Sequence, residues 1–312
     1  MQWNRRKLAA VRSRIFLAAF IFLGPAAFNP ATRPEERNAI LISWDGALRE
    51  HVRANLARGK LPSLAKLVSM GALVDLDVTG HQTDTKAGHA QMLTGYDPAL
   101  TGVHSNGRFK PIPSGDSIFE RLHQAFGKHG LTTIMLTAKD HNLGSSPPGL
   151  LSQGDPYFLA RQGITVWDCD QIRPARVVGE KAVNYIRTFA SKGRFFLFIH
   201  FADVDVSGHR DGEGSQAYDR ALAECDLWLG KILTELENQG IGARTLVYVS
   251  ADHGFEVGSK NHGNAPHIFL ATSDPAVVQA GQQRDIAPTI LRAMGVDLAK
   301  ITPALPGQAL GQ

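Results

Sequence analysis

Residues 39–46 read Ala39-Ile-Leu-Ile-Ser-Trp-Asp45-Gly46, an unbroken apolar run that ends on a carboxylate and a glycine. A run of that length without polar alternation reads as a strand buried on both faces. The same arrangement returns three times. Phe196-Leu-Phe-Ile-His-Phe-Ala leads into Asp203-Val-Asp205, and Val247-Tyr-Val-Ser-Ala leads into Asp252-His253-Gly254. Ile134-Met-Leu-Thr-Ala leads into Lys139-Asp140-His141. Amphipathic stretches at 61–70, 117–128, 177–191 and 218–237 alternate with these runs and carry apolar residues at helical spacing. Further strands are expected at 72–78 and 268–271, and a closing helix at 285–294 with Asp285 as its N-cap. The expected fold is therefore α/β, a three-layer α/β/α sandwich around a mostly parallel central sheet.

The chain has 312 residues, is 43% hydrophobic and 20% charged, and holds 31 Gly and 16 Pro. Collagen, coiled coil and disorder are excluded by that balance. Its formal net charge of +4 comes from the start: residues 1–30 hold Arg5, Arg6, Lys7, Arg12 and Arg14 and no acid. Without that block the body is near neutral, which argues against a nucleic-acid-binding domain. The basic start is followed by an apolar run over 15–23 and then Gly24-Pro25-Ala26-Ala27. Residues 1–30 are accordingly expected to be a signal peptide or an uncleaved N-terminal anchor, and the protein to be exported to a periplasmic or extracellular location. Residues 38–312 are expected to form one domain. Export would allow Cys169 and Cys225 to pair; two separate thiols are the alternative.

Strand ends in an open parallel sheet converge on one crevice. Three aspartates gathered there would repel unless cations stood between them. Asp205-Val-Ser-Gly-His209 places a carboxylate and an imidazole four residues apart across a turn. Asp252-His253 is an adjacent pair, and His262 follows a short loop. Oxygen and imidazole ligands without thiolate suit Zn²⁺, with Mn²⁺ as the alternative. Of the other histidines, His51, His123 and His129 are expected on exposed helix faces or ends. His81, His89, His104 and His200 are expected to support the site or the fold. No G-x-S-x-G elbow, P-loop or complete G-x-G-x-x-G is present.

Thr83-Asp-Thr85-Lys-Ala-Gly-His89 continues to Leu93-Thr94-Gly95-Tyr96-Asp97-Pro98 and Gly102, and Asp285-Ile-Ala-Pro-Thr-Ile-Leu stands near the end. In their order and spacing these motifs resemble the alkaline phosphatase superfamily, in particular its type I phosphodiesterase/nucleotide pyrophosphatase branch and phosphatase relatives. The resemblance covers nearly the whole body. It implies an alkaline phosphatase-like core and two divalent metal ions. Asp45, Thr85, Asp252 and His253 would hold one ion; Asp205, His209 and a late histidine would hold the other. His262 fits that last role best, and His267 is the runner-up.

By the same resemblance Thr85 is the nucleophile and Asn106 binds phosphate. Lys139 sits where phosphate monoesterases and phosphonoacetate hydrolases carry a lysine that contacts the phosphoryl group, and His141 replaces their second basic residue. Structural alternatives stand beside these roles: an N-cap hydroxyl for Thr85 and a solvated strand-end cation for Lys139. Lys86 stands where nucleotide pyrophosphatases carry a base-stacking aromatic. Only residues 254–261 separate His253 from His262, where those enzymes carry a long insertion. No large cap is therefore expected, and nucleotide specificity is not implied. Sulfatases use a converted Cys or Ser at the position of Thr85, so sulfate ester hydrolysis is disfavoured.

The function implied is a metal-dependent, two-metal hydrolase of small-molecule phosphate esters, a phosphodiesterase or phosphomonoesterase working through a covalent phospho-threonine. A phosphonate hydrolase on the same site, or a catalytically silent metal-binding module of the same fold, is the alternative. Membrane contact is expected only through the N-terminal segment, if it stays uncleaved.

Overall fold

The apolar runs do form the sheet. The computed structural model describes residues 36–169 and 172–311. The stretch read as an export signal or anchor lies outside those residues. Among the described residues eight strands are present: β1 (Asn38–Trp44), β2 (Ala72–Asp77), β3 (Leu131–Leu136), β4 (Val166–Asp168), β5 (Arg194–Phe201), β6 (Thr245–Ser250), β7 (His267–Thr272) and β8 (Gly281–Gln282). They lie in the order β4-β3-β5-β1-β6-β7-β2-β8. All neighbours pair in parallel except β7, which runs antiparallel to both β6 and β2.

Helices connect the strands: α1 (Arg49–Ala57), α2 (Pro62–Met70), α3 (Thr85–Thr94), α4 (Pro98–Thr101), α5 (Ile118–Phe126), α6 (Asp140–Leu143), α7 (Ala175–Phe189), α8 (Asp203–Asp211), α9 (Gln216–Asn238) and α10 (Ile286–Ala293). They fall into two groups. Helices α1, α2, α7 and α8 gather around α9 or its neighbours, whereas α3, α4, α5 and α10 pack on one another. Strand β5 shows how the groups divide. Phe196 meets Phe119 of α5 with ring centroids 5.3 Å apart, and Phe198 meets His89 of α3 at 5.7 Å. Alternate residues point the other way, towards α7. Residues 195–201 are buried on both sides, which is why the run shows no polar alternation.

One expectation needs correction and two others are resolved. Residues 203–211 form a helix, so Asp205 and His209 are one helical turn apart rather than across a turn. Asp285 stands at the N-cap position of α10 as expected, but its side chain makes no capping bond and its backbone is already helical (φ −81°, ψ −11°) at the end of a 3₁₀ turn. Its carboxylate instead accepts from the backbone N–H groups of Gln282 (2.7 Å) and Gln308 (2.8 Å). Cys169 and Cys225 are both buried and no disulfide joins them. Among the described residues no helix is long and apolar enough to cross a membrane.

Candidate active site

Four adjacent strands, β3, β5, β1 and β6, end at one crevice. Strand β1 delivers Asp45, β6 delivers Asp252 and His253, β5 feeds directly into α8 with Asp205 and His209, and β3 delivers Lys139. Two positions let the backbones approach closely. Gly46 has φ 72°, and a Cβ there would sit 3.1 Å from Asp205 Cβ and closer still to Phe255. At Gly88 a Cβ would overlap the Asp252 carbonyl oxygen and lie 2.9 Å from Asp252 Cβ. Without side chains at these positions, the Asp45 turn and α3 can both reach the Asp252 loop.

The histidines present one nitrogen each to the centre. His253 Nδ1 donates to Gly254 O (2.9 Å), His209 Nδ1 to Lys260 O (2.8 Å) and His262 Nδ1 to Thr83 O (2.6 Å). Each bond fixes the tautomer that leaves an Nε2 lone pair. His209 Nε2 lies 3.3 Å from Asp205 Oδ1 and 3.0 Å from His262 Nε2. His253 Nε2 lies 3.5 Å from Asp45 Oδ1 and 3.4 Å from Asp252 Oδ2. The ligand atoms of Asp205, His209 and His262 all fall within 4.8 Å of one another, as do those of Asp45, Asp205 and His253. Asp205 thus belongs to both groups. His267, the runner-up, pairs with Asp77 at 2.9 Å instead.

Four of these atoms are buried and lack any hydrogen-bond partner: Asp45 Oδ1, Asp205 Oδ1, Asp252 Oδ2 and His253 Nε2. Buried polar atoms without partners are costly, and their convergence is the condition a cation relieves. Charge states agree. Burial and the nearby Asp45 push the Asp252 pKa well above the ordinary carboxylate value. Burial and the neighbouring His253 push His262 down, towards the neutral ligand form. These residues form two candidate metal-binding groups that share Asp205, and Asp252, 3.4 Å from His253, stands beside the second without belonging to it.

The type I phosphodiesterase/nucleotide pyrophosphatase family description matches residues 39–293. The chain belongs to that family. Through it the chain joins the alkaline phosphatase superfamily. Among its relatives is an uncharacterized pyrophosphatase/phosphodiesterase of Schizosaccharomyces pombe, 23% identical over 81% of this chain and 52% of that protein. Another is a bis(5'-adenosyl)-triphosphatase of Mus musculus, 21% identical over 71% of this chain and 48% of that protein. The chain spans about half the length of these relatives. A solved phosphonate monoester hydrolase from Silicibacter pomeroyi shares the fold with a TM-score of 0.58 at 15% identity, over 88% of this chain and 76% of that one.

In this phosphodiesterase-family chain Thr85 is the first residue of α3 and is buried. The N-cap is Asp84, whose side chain accepts from Ala87 N, so the Thr85 hydroxyl is not the helix cap. Asp84 also accepts from Asn106 N at 2.6 Å. Asn106 Oδ1 in turn accepts from Lys86 N (2.8 Å) and Asn142 Nδ2 (3.2 Å). These bonds tie the Asn106 side chain to the residue that follows Thr85 and to α6.

The structure places Lys139 differently from the sequence expectation. Its ammonium is buried between Asp45 Oδ2 (2.7 Å) and Asp205 Oδ2 (2.5 Å), neither solvated nor free for a phosphoryl group. Burial opposes the charge, but the two carboxylates outweigh it and raise the lysine pKa. They are paired in return: burial raises the Asp45 pKa, yet Lys139, His200 and His253 hold it well below the usual range.

Sequence reading left His200 and His89 without specific roles. His200 Nδ1 accepts from Ala138 N (3.2 Å), so its Nε2–H donates to Asp45 Oδ2 (2.8 Å). His89 Nδ1 donates to Thr85 O (2.8 Å) and lies 3.4 Å from Asp252 Oδ2. Both orient candidate ligands from behind. His51, expected on an exposed face, is half-buried with one carboxylate at each ring nitrogen: Glu213 at 2.5 Å and Asp219 at 2.7 Å. Glu213 also accepts from Gly258 N (2.9 Å), which ties α1 to the loop before His262. An apolar surround at positions such as His200 is the only local signal of such roles.

Proposed function

We propose that this protein hydrolyses small-molecule phosphate esters with two divalent ions, most simply Zn²⁺, through a covalent phospho-Thr85 intermediate. The observation that carries the reading is the convergence of four buried, partnerless ligand atoms from Asp45, Asp205, Asp252 and His253. Asp45, Asp252 and His253 with Thr85 would hold one ion; Asp205, His209 and His262 would hold the other. When bound, the ions supply Lewis acidity that lowers the pKa of the Thr85 hydroxyl and offsets charge on the leaving oxygen.

The chain's own groups account for the rest. Thr85 loses its hydroxyl proton to solvent, and its Oγ attacks phosphorus in line with the leaving oxygen. The bond to that oxygen breaks, and the leaving group takes a proton from water. Asn106 Nδ2 donates to a non-bridging oxygen as its charge grows. The start of α3 adds a favourable dipole. Water then attacks the phosphothreonine and releases phosphate, restoring the hydroxyl.

Export through the N-terminal segment belongs to the same reading, supported by its charge and apolar pattern. Fractionation of expressing cells tests it, and retention in the cytoplasm contradicts it. The deciding experiment for catalysis is Thr85→Ala alongside wild type, with metal content measured in both. The expected result is lost turnover with metal retained, and a phosphoryl group found on Thr85 in acid-quenched wild type. Full turnover in the variant would remove Thr85 as nucleophile. A wild type that binds zinc or manganese yet turns over no phosphate ester would favour the silent metal-binding module.

A further inference from the structure

Two residues outside the candidate ligands hold one loop of the site in place. Glu213 stands two residues past the end of α8 and is only 5% exposed. Its Oε1 lies 2.5 Å from His51 Nδ1, and its Oε2 accepts from Gly258 N at 2.9 Å. Its own backbone N–H donates to Ser259 O, also at 2.9 Å. His51, on α1, places its other ring nitrogen 2.7 Å from Asp219 of α9. Glu213 is therefore fixed by α1 on one side and clasps the loop of residues 254–261 on the other. A carboxylate on a backbone N–H makes one of the stronger hydrogen bonds, and burial strengthens it further.

The clasped loop serves both imidazoles of one candidate group. His262 directly follows it, and His209 Nδ1 donates into it, to Lys260 O at 2.8 Å. Thr83 secures the far end of the loop: His262 Nδ1 donates to Thr83 O, and Thr83 Oγ1 donates to His262 O. The other side-chain tie to α8 is Lys260 Nζ on Arg210 O at 2.7 Å, between two exposed residues. Glu213 is thus the buried side chain that holds the middle of the loop. The Asp45–Asp205–His253 group does not depend on that middle. His253 Nδ1 donates to the adjacent Gly254 O (2.9 Å), and Gly254 N is bonded to Ala265 O (2.9 Å).

We propose that the Glu213–His51 pair is the positioning device of the Asp205–His209–His262 group: it holds the 254–261 loop so that the Nε2 atoms of His209 and His262 meet Asp205. This rests on the two-ion reading and deepens it, because it gives one ion a support that the other does not share. Neither side chain is bonded to a candidate ligand, so the pair acts through the loop. Partners that orient ligands from behind typically govern metal affinity rather than chemistry.

The test titrates zinc into metal-free wild type, Glu213→Leu, Glu213→Gln, His51→Phe and Asp226→Asn against a coloured chelator. NMR of histidine-labelled protein follows which imidazoles become ligated. Asp226 supplies the control: it is also buried and accepts from two backbone N–H groups, Ser63 (3.0 Å) and Leu64 (2.7 Å), but it ties α9 to α2. Wild type should take up two ions. Glu213→Leu and His51→Phe should weaken one of them by about 10–100-fold and leave the other unchanged. At zinc levels that ligate His253, the His209 and His262 signals of those variants should stay at their metal-free positions. Glu213→Gln keeps an acceptor for Gly258 N and should recover most of the affinity. Asp226→Asn should lower Tm and keep both ions. Unchanged affinities in Glu213→Leu overturn the proposal, as does equal weakening of both ions or loss of one in Asp226→Asn. Should Glu213→Leu not fold, His51→Phe carries the same comparison. If wild type binds fewer than two ions, the two-ion reading fails separately, and hydrogen exchange of the metal-free protein decides on Glu213. Faster exchange in the variant confined to residues 254–262 supports the positioning role; unchanged or evenly raised exchange overturns it.

Discussion

The Lys139 ammonium stands 2.5 Å from Asp205 Oδ2 and holds Asp45 Oδ2 at 2.7 Å on its other side. It engages one oxygen of each carboxylate and leaves both Oδ1 atoms without partners in the cluster. Lys139 therefore sets the spacing of the two aspartates. Lys139→Met should destabilise the metal-free protein by roughly 3–5 kcal/mol, because it leaves two buried carboxylates facing each other. Bound zinc should recover much of that loss, so the gap in Tm between chelated and zinc-loaded protein should widen in the variant. An equal drop in both states would reduce Lys139 to a packing role.

His200 fixes the orientation of Asp45 through a bond whose donor is determined by Ala138 N. Replacing it with Phe keeps the ring volume and removes the donor. Metal affinity should fall by about 10–100-fold, as measured by competition with a coloured chelator. Unchanged affinity would show that Lys139 alone suffices to orient the carboxylate.

Gly88 is where α3 lies against the Asp252 loop. Gly88→Ala forces the two apart, and should cost about 1–3 kcal/mol in stability together with most of the turnover. Gly214, where an added Cβ meets nothing within 4 Å, gives the control. Gly214→Ala should leave Tm and kcat/KM close to wild type.

Asp219 is subject to burial, which raises its pKa, but His51, Asn55 and Lys60 outweigh that and hold it down to about 2. A depressed carboxylate contributes stability that is complete above its unfolded value of about 3.9 and is lost as pH falls towards about 2. Solvent screening limits the effect to roughly 1 kcal/mol. Asp219→Asn should therefore lower stability at pH 6 and make little difference at pH 2, as read by urea unfolding at the two values. A loss that persists at pH 2 would point to packing rather than charge.

The six longer strands were legible because the central sheet is covered on both faces and its buried strands appear as apolar runs; β4 and β8, three and two residues long, were not expected. The candidate ligands were legible because they follow those runs directly. Helix α1 was missed: it is short and polar, with only Val52 and Asn55 buried. Helix α8 was taken for a turn because Gly208 interrupts a polar stretch. It forms because it packs on α9, with Gly208 allowing the Phe255 ring to approach so closely that a Cβ would lie 2.5 Å from it. The reversed direction of β7 leaves no trace in hydropathy, since a buried strand is equally apolar in either direction.

The amino-acid sequence by itself determined which side chains arrive at the crevice, because a strand end and its ligand are neighbours along the chain. Asp45, Lys139, Asp205, Asp252 and His253 are all read in that way. Tertiary structure decided what each one meets. Whether Lys139 reaches a phosphoryl group, solvent or the Asp45–Asp205 pair depends on β3, β5, β1 and β6 lying side by side in that order. The same holds for the tautomers of His200, His209 and His262, whose partners come from distant segments. Local periodicity records burial and not which strand lies beside which, so those pairings exist only once the sheet has formed.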